Sequence, residues 1–296
     1  MEQGLDRAAP PLAPVAKAML DRIGGSWWNV YIGGPRASVT WSPSHVAAYR
    51  AAGIGKFLLT YVGRQQRDVP RLNPAQGRAD ADDAARKVAA FGFGPGTPVC
   101  LDLELPTFEA APSASLDYVG GWCVAVREQG LRPGVYANVR PLVALANRPE
   151  RERPEWVWVA RWSHRDFRPG AHPDQIDGMG TRWQGHRVWQ YAGELDLGHL
   201  DPDFDRITID LNVTTTGSGC LATVGGAAPI PSGTEEDDDM FTFTAPGKPV
   251  FFVAGGKAVG LNSPNDLQTI RQAVRDLPHF NLDLETFDQF VRTYRG

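Results

Sequence analysis

Between residues 4 and 213 the chain alternates a strand signal with an amphipathic helix five times, then closes with three strands that have no helical period between them. This order constrains the fold more than any other feature, because parallel strands need long crossovers and helices supply them. The strand signals fall at 4–8, 27–33, 57–62, 99–105, 134–138, 156–162, 187–192 and 207–213. The first helical segment carries Val15, Met19, Leu20 and Ile23 at helical spacing. A second runs over 43–52 behind a Ser42-Pro43 cap, and a third over about 80–91 before Gly92. A fourth occupies about fifteen residues from Ser115 to a Gly130 stop, and a short fifth spans 141–146. The expected fold class is therefore α/β: a TIM-like barrel of eight strands and about five helices, with chemistry where the strands end.

The fourth strand reads Val99-Cys-Leu-Asp-Leu-Glu-Leu105. Alternation along a strand puts Asp102 and Glu104 on one face and the aliphatic residues on the other. Two acids in an aliphatic neighbourhood are costly unless paired, solvated or used, and a carboxylate pair is the equipment of glycoside hydrolysis. In a closed barrel, Asp6 on strand one and Asp210 and Asn212 on strand eight reach the same rim. Glu104, furthest toward the strand end, is the expected general acid, with Asp102, Asp6 and Asp210 as the anionic surroundings that raise its pKa. Two acids on one strand suit a route in which a substrate acetamido group attacks better than direct attack by the second carboxylate. Tyr31, Tyr61, Tyr136 and Trp162 offer rings with polar handles to sugar faces, while for any single ring core packing is the competing reading. Gln190 and Asn138 stand out as polar groups within apolar strands.

Composition narrows the function. A chain of 296 residues with formal charge -4 has no Lys/Arg block dense enough for nucleic acid. Six histidines lack metal spacing, and three widely spaced cysteines give neither a disulfide framework nor a CxxC motif, so no metal or cofactor is expected. The N-terminus lacks a signal-peptide pattern and no apolar run is long enough for a bilayer. If the substrate lies outside the cell, something else must deliver the protein to it.

Residues 214–239 are Gly/Pro/Ser-rich and end in the acidic run Glu235 to Asp239, the composition of a flexible linker. Domains are accordingly expected at 1–213 and 240–296. The second has strand signals at 241–245, 249–254 and 257–261 with Gly255-Gly256 as a hairpin turn, then helical segments at about 264–277 and 283–294. So small an α+β module is marginal alone and is expected to dock onto another protein or another copy of the chain.

Gly4-Leu-Asp6, Val30-Tyr-Ile-Gly-Gly34, Tyr61-Val-Gly-Arg-Gln65, Leu101-Asp-Leu-Glu104, Trp189-Gln-Tyr191 and Ile209-Asp-Leu-Asn212 together resemble the glycoside-hydrolase-like barrel of actinobacterial and phage proteins. That group is similar to the family 25 lysozymes, whose flattened barrel has eight strands and five helices. The resemblance implies hydrolysis of the β-1,4 bond after N-acetylmuramic acid in peptidoglycan. It makes Glu104 the acid, Asp102, Asp6 and Asp210 supporting carboxylates, and Gln65 part of the substrate-binding set. The resemblance implies a phage endolysin or virion-borne lysin, located in the host cytoplasm before release to the cell wall or on the virion, with residues 240–296 anchoring it to wall polymer or a virion protein; the alternative is a glycan-binding or structural tail protein that keeps the barrel without turnover.

Overall fold

The computed structural model describes residues 1–223 except 40, 165 and 197–206, together with four strands between residues 241 and 281. The chain divides into two compact units, Met1–Ile230 and Pro231–Gly296.

In the first unit eight strands close into a barrel: β1 (Glu2–Asp6), β2 (Gly25–Gly33), β3 (Lys56–Val62), β4 (Pro98–Asp102), β5 (Arg132–Ala137), β6 (Trp156–Ala160), β7 (Arg187–Asp196) and β8 (Thr208–Thr214). β1 to β7 are parallel, but β8 is antiparallel to both its neighbours, which corrects the all-parallel sheet expected from the alternation. The reason is local. Asp196 at the end of β7 pairs with Thr208 at the start of β8, and a hairpin reverses the chain where a helical crossover would preserve its direction.

Among the described residues, α-helices follow only the first five strands: α1 (Ala13–Arg22), α2 (Pro43–Ala51), α3 (Pro74–Ala90), α4 (Leu105–Ala110), α5 (Pro112–Glu128) and α6 (Val139–Leu145). Ser42 caps α2 as expected, its hydroxyl accepting from His45 N–H. An equivalent cap precedes α3: Asn73 Oδ1 accepts from Gln76 N–H at 2.8 Å and Pro74 takes the first position, so this helix starts six residues before Asp80, where the periodicity predicts its start. α4 was also unforeseen. Its Leu105-Pro106 start ends β4 at Asp102 and makes Glu104 the N-cap residue of a helix instead of a strand residue.

Apolar residues form two layers. One lies between the strands and the helices, with Leu101, Leu103, Tyr61 and Trp122 among its members. The other fills the lumen with Trp27, Leu58, Cys100, Trp156, Trp158, Val188 and Cys220. Two lumen tryptophans lie over glycines of the neighbouring strand: a Cβ on Gly4 would stand 2.0 Å from the Trp27 ring, and one on Gly134 2.2 Å from Trp156. Gly134→Ala is therefore expected to cost about 1–3 kcal/mol through overpacking, read as a lower urea midpoint. An unchanged midpoint would show that Trp156 can move aside.

The barrel unit does not stop at residue 213. β9 (Ala222–Thr223) pairs with the start of β3, Cys220 and Ala222 are buried, and Arg132 Nη1 donates to Gly219 O at 2.7 Å. The opening of the expected linker is thus part of the barrel's base, and residues 224–239 lie outside the described residues.

The second unit contains β10 (Phe241–Thr244), β11 (Phe251–Ala254), β12 (Lys257–Gly260) and β13 (His279–Asn281), in the order β12-β11-β10-β13. The β11–β12 hairpin falls where Gly255-Gly256 predicted it, with Ala254 paired to Lys257. β13, parallel to β10, was not anticipated. The two expected helical segments lie outside the described residues.

Candidate active site

Seven strands bring their C-terminal ends to one mouth, and the reversed β8 contributes its beginning. Asp6, last in β1, is therefore directly paired with Asp210, third in β8, and Asn212 lies deeper, opposite Gly4. Had β8 been parallel, Asp210 would sit at the other end of the barrel. The antiparallel hairpin is what joins these two acids.

Gln190 ties them together. Its side chain, 2% exposed, donates from Nε2 to Asp6 Oδ2 at 3.0 Å and to Asp210 Oδ2 at 2.9 Å. Its Oε1 accepts from Tyr136 Oη at 2.9 Å and Trp162 Nε1 at 2.8 Å. All four hydrogen-bonding positions of the amide are thus used. Asp6 Oδ1 also accepts from Tyr31 Oη at 2.8 Å and Asn29 Nδ2 at 2.9 Å, and Asn29 Oδ1 accepts from Thr60 Oγ1 at 2.6 Å. Asp210 Oδ1 accepts from Glu194 N–H at 2.7 Å, which a bulge in β7 and a left-handed backbone at Glu194 (φ 55°) place there. Deeper in, Asn212 Oδ1 accepts from Trp158 Nε1 at 2.8 Å. The floor of the mouth is a satisfied polar belt, as burial demands.

Asp102 is the exception. Its Oδ1 is buried with no hydrogen-bond partner among the described residues. Burial first, then the charges of Glu104 and Asp6, push its carboxyl up to about 8. Asp6 and Asp210 are raised by the same logic, burial before all else, with Asp210 as an added cause for Asp6; the hydrogen bonds to each work against the rise. Glu104 lies just beyond Asp102, exposed at the lip, and Leu103 between them is buried in the outer layer. The two acids of the motif hence keep a common side, even though the second has left the strand.

The unfolded chain releases an aspartate proton near pH 4, whereas folded Asp102 keeps its own to about 8, so in that window the folded state binds more protons and stability falls as pH rises. Asp102→Asn, which mimics the protonated acid, is expected to stabilise the chain more at pH 8 than at pH 4. Equal shifts in urea midpoint at both values would contradict the raised carboxyl.

Of the other expected residues, Tyr31, Tyr136, Trp162, Gln190 and Asn212 all join the mouth or the belt below it. Trp162 is 54% exposed and its ring lies over Gly193, where a Cβ would be 2.4 Å away. Tyr61 does not reach the mouth. It faces outward, donating to Asp83 Oδ2 at 3.0 Å and packing 5.5 Å from Trp122. Gln65 opens the turn after β3, where its N–H donates to Asp68, and Asn138 begins α6 half-buried without capping it. Asn29 and Thr60 were missed, though each lies on the lumen face of its strand, two residues from Trp27 or Leu58.

A closed strand barrel with a carboxyl cluster at the mouth of its strand ends defines a glycoside hydrolase-like barrel. Residues 24–213 match the Rv2525c-like, glycoside hydrolase-like domain, and the chain belongs to that family. Among solved structures, an uncharacterized B. stearothermophilus protein superposes with TM-score 0.51 at 16% identity, covering 75% of this chain and 100% of its own. The Mycobacterium tuberculosis Tat-secreted protein Rv2525c, in complex with HEPES, gives 0.50 at 17%, over 72% and 95%. A family 25 glycosyl hydrolase from Bacillus anthracis gives 0.48 at 13%, over 72% and 88%. At such identities the likeness is one of fold. No curated protein matches the sequence.

Proposed function

We propose that the chain hydrolyses the glycan strand of peptidoglycan in the manner of an N-acetylmuramidase, as a phage endolysin or virion-associated lysin. The observation that carries this reading is the Asp102–Glu104 pair: one proton-bearing carboxyl whose buried Oδ1 has no hydrogen-bond partner among the described residues, and one exposed carboxyl beside it. Both oxygens of Asp6 and of Asp210 already accept hydrogen bonds within the belt, which favours the Asp102–Glu104 pair for the chemistry.

In this mechanism a substrate acetamido N–H donates to Asp102 Oδ1, which favours its carboxylate form and passes the proton to Glu104. Glu104 then protonates the departing glycosidic oxygen while the oriented acetamido oxygen attacks the anomeric carbon. Trp162, exposed at the rim with its indole N–H fixed on Gln190, supplies a stacking face for a sugar ring. The second unit anchors the barrel to wall polymer or a virion protein. Among the described residues no helix is long and apolar enough to cross a membrane.

Mass spectrometry of fragments released from purified peptidoglycan tests the reading. New reducing ends at N-acetylmuramic acid support it. Wall binding without release would instead favour a glycan-binding tail protein, the reading favoured by how completely Asp6 and Asp210 are satisfied from within.

A further inference from the structure

On the outer side of the β6–β7 rim, Arg161, Ser163, His164, Gln175, Asp177 and Trp189 enclose a pocket of about 260 Å³ that the mechanism above does not use. Its origin is topological. Among the described residues no α-helix follows β6, and the long connection from β6 to β7 carries a short 3-10 turn at Pro173–Gln175. Arg187, wholly buried, holds that connection by donating to the carbonyls of Pro173, Gly180 and Arg182. The ring of His164 lies 5.6 Å from Trp189 and 6.0 Å from Tyr191.

Arg161 is pinned through its backbone: its N–H donates to Gln190 O, and its carbonyl accepts from Trp189 Nε1. Its guanidinium has no ion-pair or hydrogen-bond partner among the described residues. The next residue, Trp162, reaches Gln190 in the mouth. Consecutive residues thus serve the pocket and the mouth, and a substituent leaving a sugar held at the mouth has only the rim to cross.

We propose that this pocket is a subsite for a carboxylate-bearing peptide branch of the glycan strand, with Arg161 binding the carboxylate; the proposal rests on the glycan reading above. A guanidinium beside acceptors suits such a branch. Asp177 and Gln175 can accept from the amide N–H or ammonium groups that such a branch carries beside its carboxylate and that an inorganic phosphate lacks. Ser163 adds a hydroxyl of either sense.

The test is calorimetric, on the full chain carrying Glu104→Gln to keep ligands intact. Its ligands are a glycan tetrasaccharide with stem peptides and the same tetrasaccharide stripped of them by an amidase. The peptide-bearing ligand is expected to bind more tightly, and Arg161→Ala to reduce that preference about tenfold, the effect of one charge-assisted contact. Arg161→Lys should keep part of it. A preference that does not respond to Arg161, or free phosphate competing better than free stem peptide, overturns the subsite while the glycan reading stands. If neither tetrasaccharide binds, the glycan reading falls and the subsite with it.

Discussion

Glu104→Gln is expected to lower reducing-end release from purified peptidoglycan by at least about 10²-fold, since a positioned general acid contributes roughly 10²–10⁴-fold. Binding to the wall should persist, because the substituted side chain is exposed and keeps its shape and hydrogen-bonding length. The wild-type rate should also fall as pH rises through about 8, where Asp102 gives up the proton on which the pair depends. The sign follows from the protonation state: the active pair carries one proton, present below that value and lost above it. Asp102→Asn removes both the acid and that alkaline limb. Equal rates for wild type and Glu104→Gln across the pH range would remove Glu104 from the chemistry.

The second large effect is structural. Gln190→Leu leaves Tyr136 and Trp162 without an acceptor and Asp6 and Asp210 without the donor that lies between them. Stranding buried polar and acidic groups in this way is expected to cost about 3–5 kcal/mol. All nine tryptophans lie between Trp27 and Trp189, so their fluorescence follows the barrel unit and not the second unit. Gln190→Glu places a third carboxyl among two acids and should be tolerated at low pH, then lose stability as the cluster ionises. A loss below about 1 kcal/mol for the leucine variant would mean that water replaces the amide at little cost and that the belt is not what fixes the mouth.

The residues that the sequence could not single out are mostly those whose partners are far away along the chain. Asn29 and Thr60 are ordinary polar residues in apolar strands until β1, β2 and β3 stand side by side and their amide and hydroxyl line up on Asp6. Tyr61 carries the same kind of ring as Tyr31, but it lies on the opposite face of its strand. Which face looks inward is settled only when the sheet curls, and that curl takes Tyr61 to Asp83 and Trp122. The departure of Glu104 from β4 was legible in principle, since a proline two residues on is a helix-start signal; the alternating aliphatic pattern masked it.

The sequence alone determined what depends on neighbours along the chain: strands by their alternation, helices by their period and caps, the β11–β12 hairpin, and the presence of Asp102 and Glu104 two residues apart. Tertiary structure decided the direction of β8, and through it the meeting of Asp6 with Asp210 under a single glutamine. It also decided that the proton should rest on Asp102. A carboxyl's affinity for a proton depends on the charges and the solvent around it, and those are supplied by strands that meet only when the barrel closes.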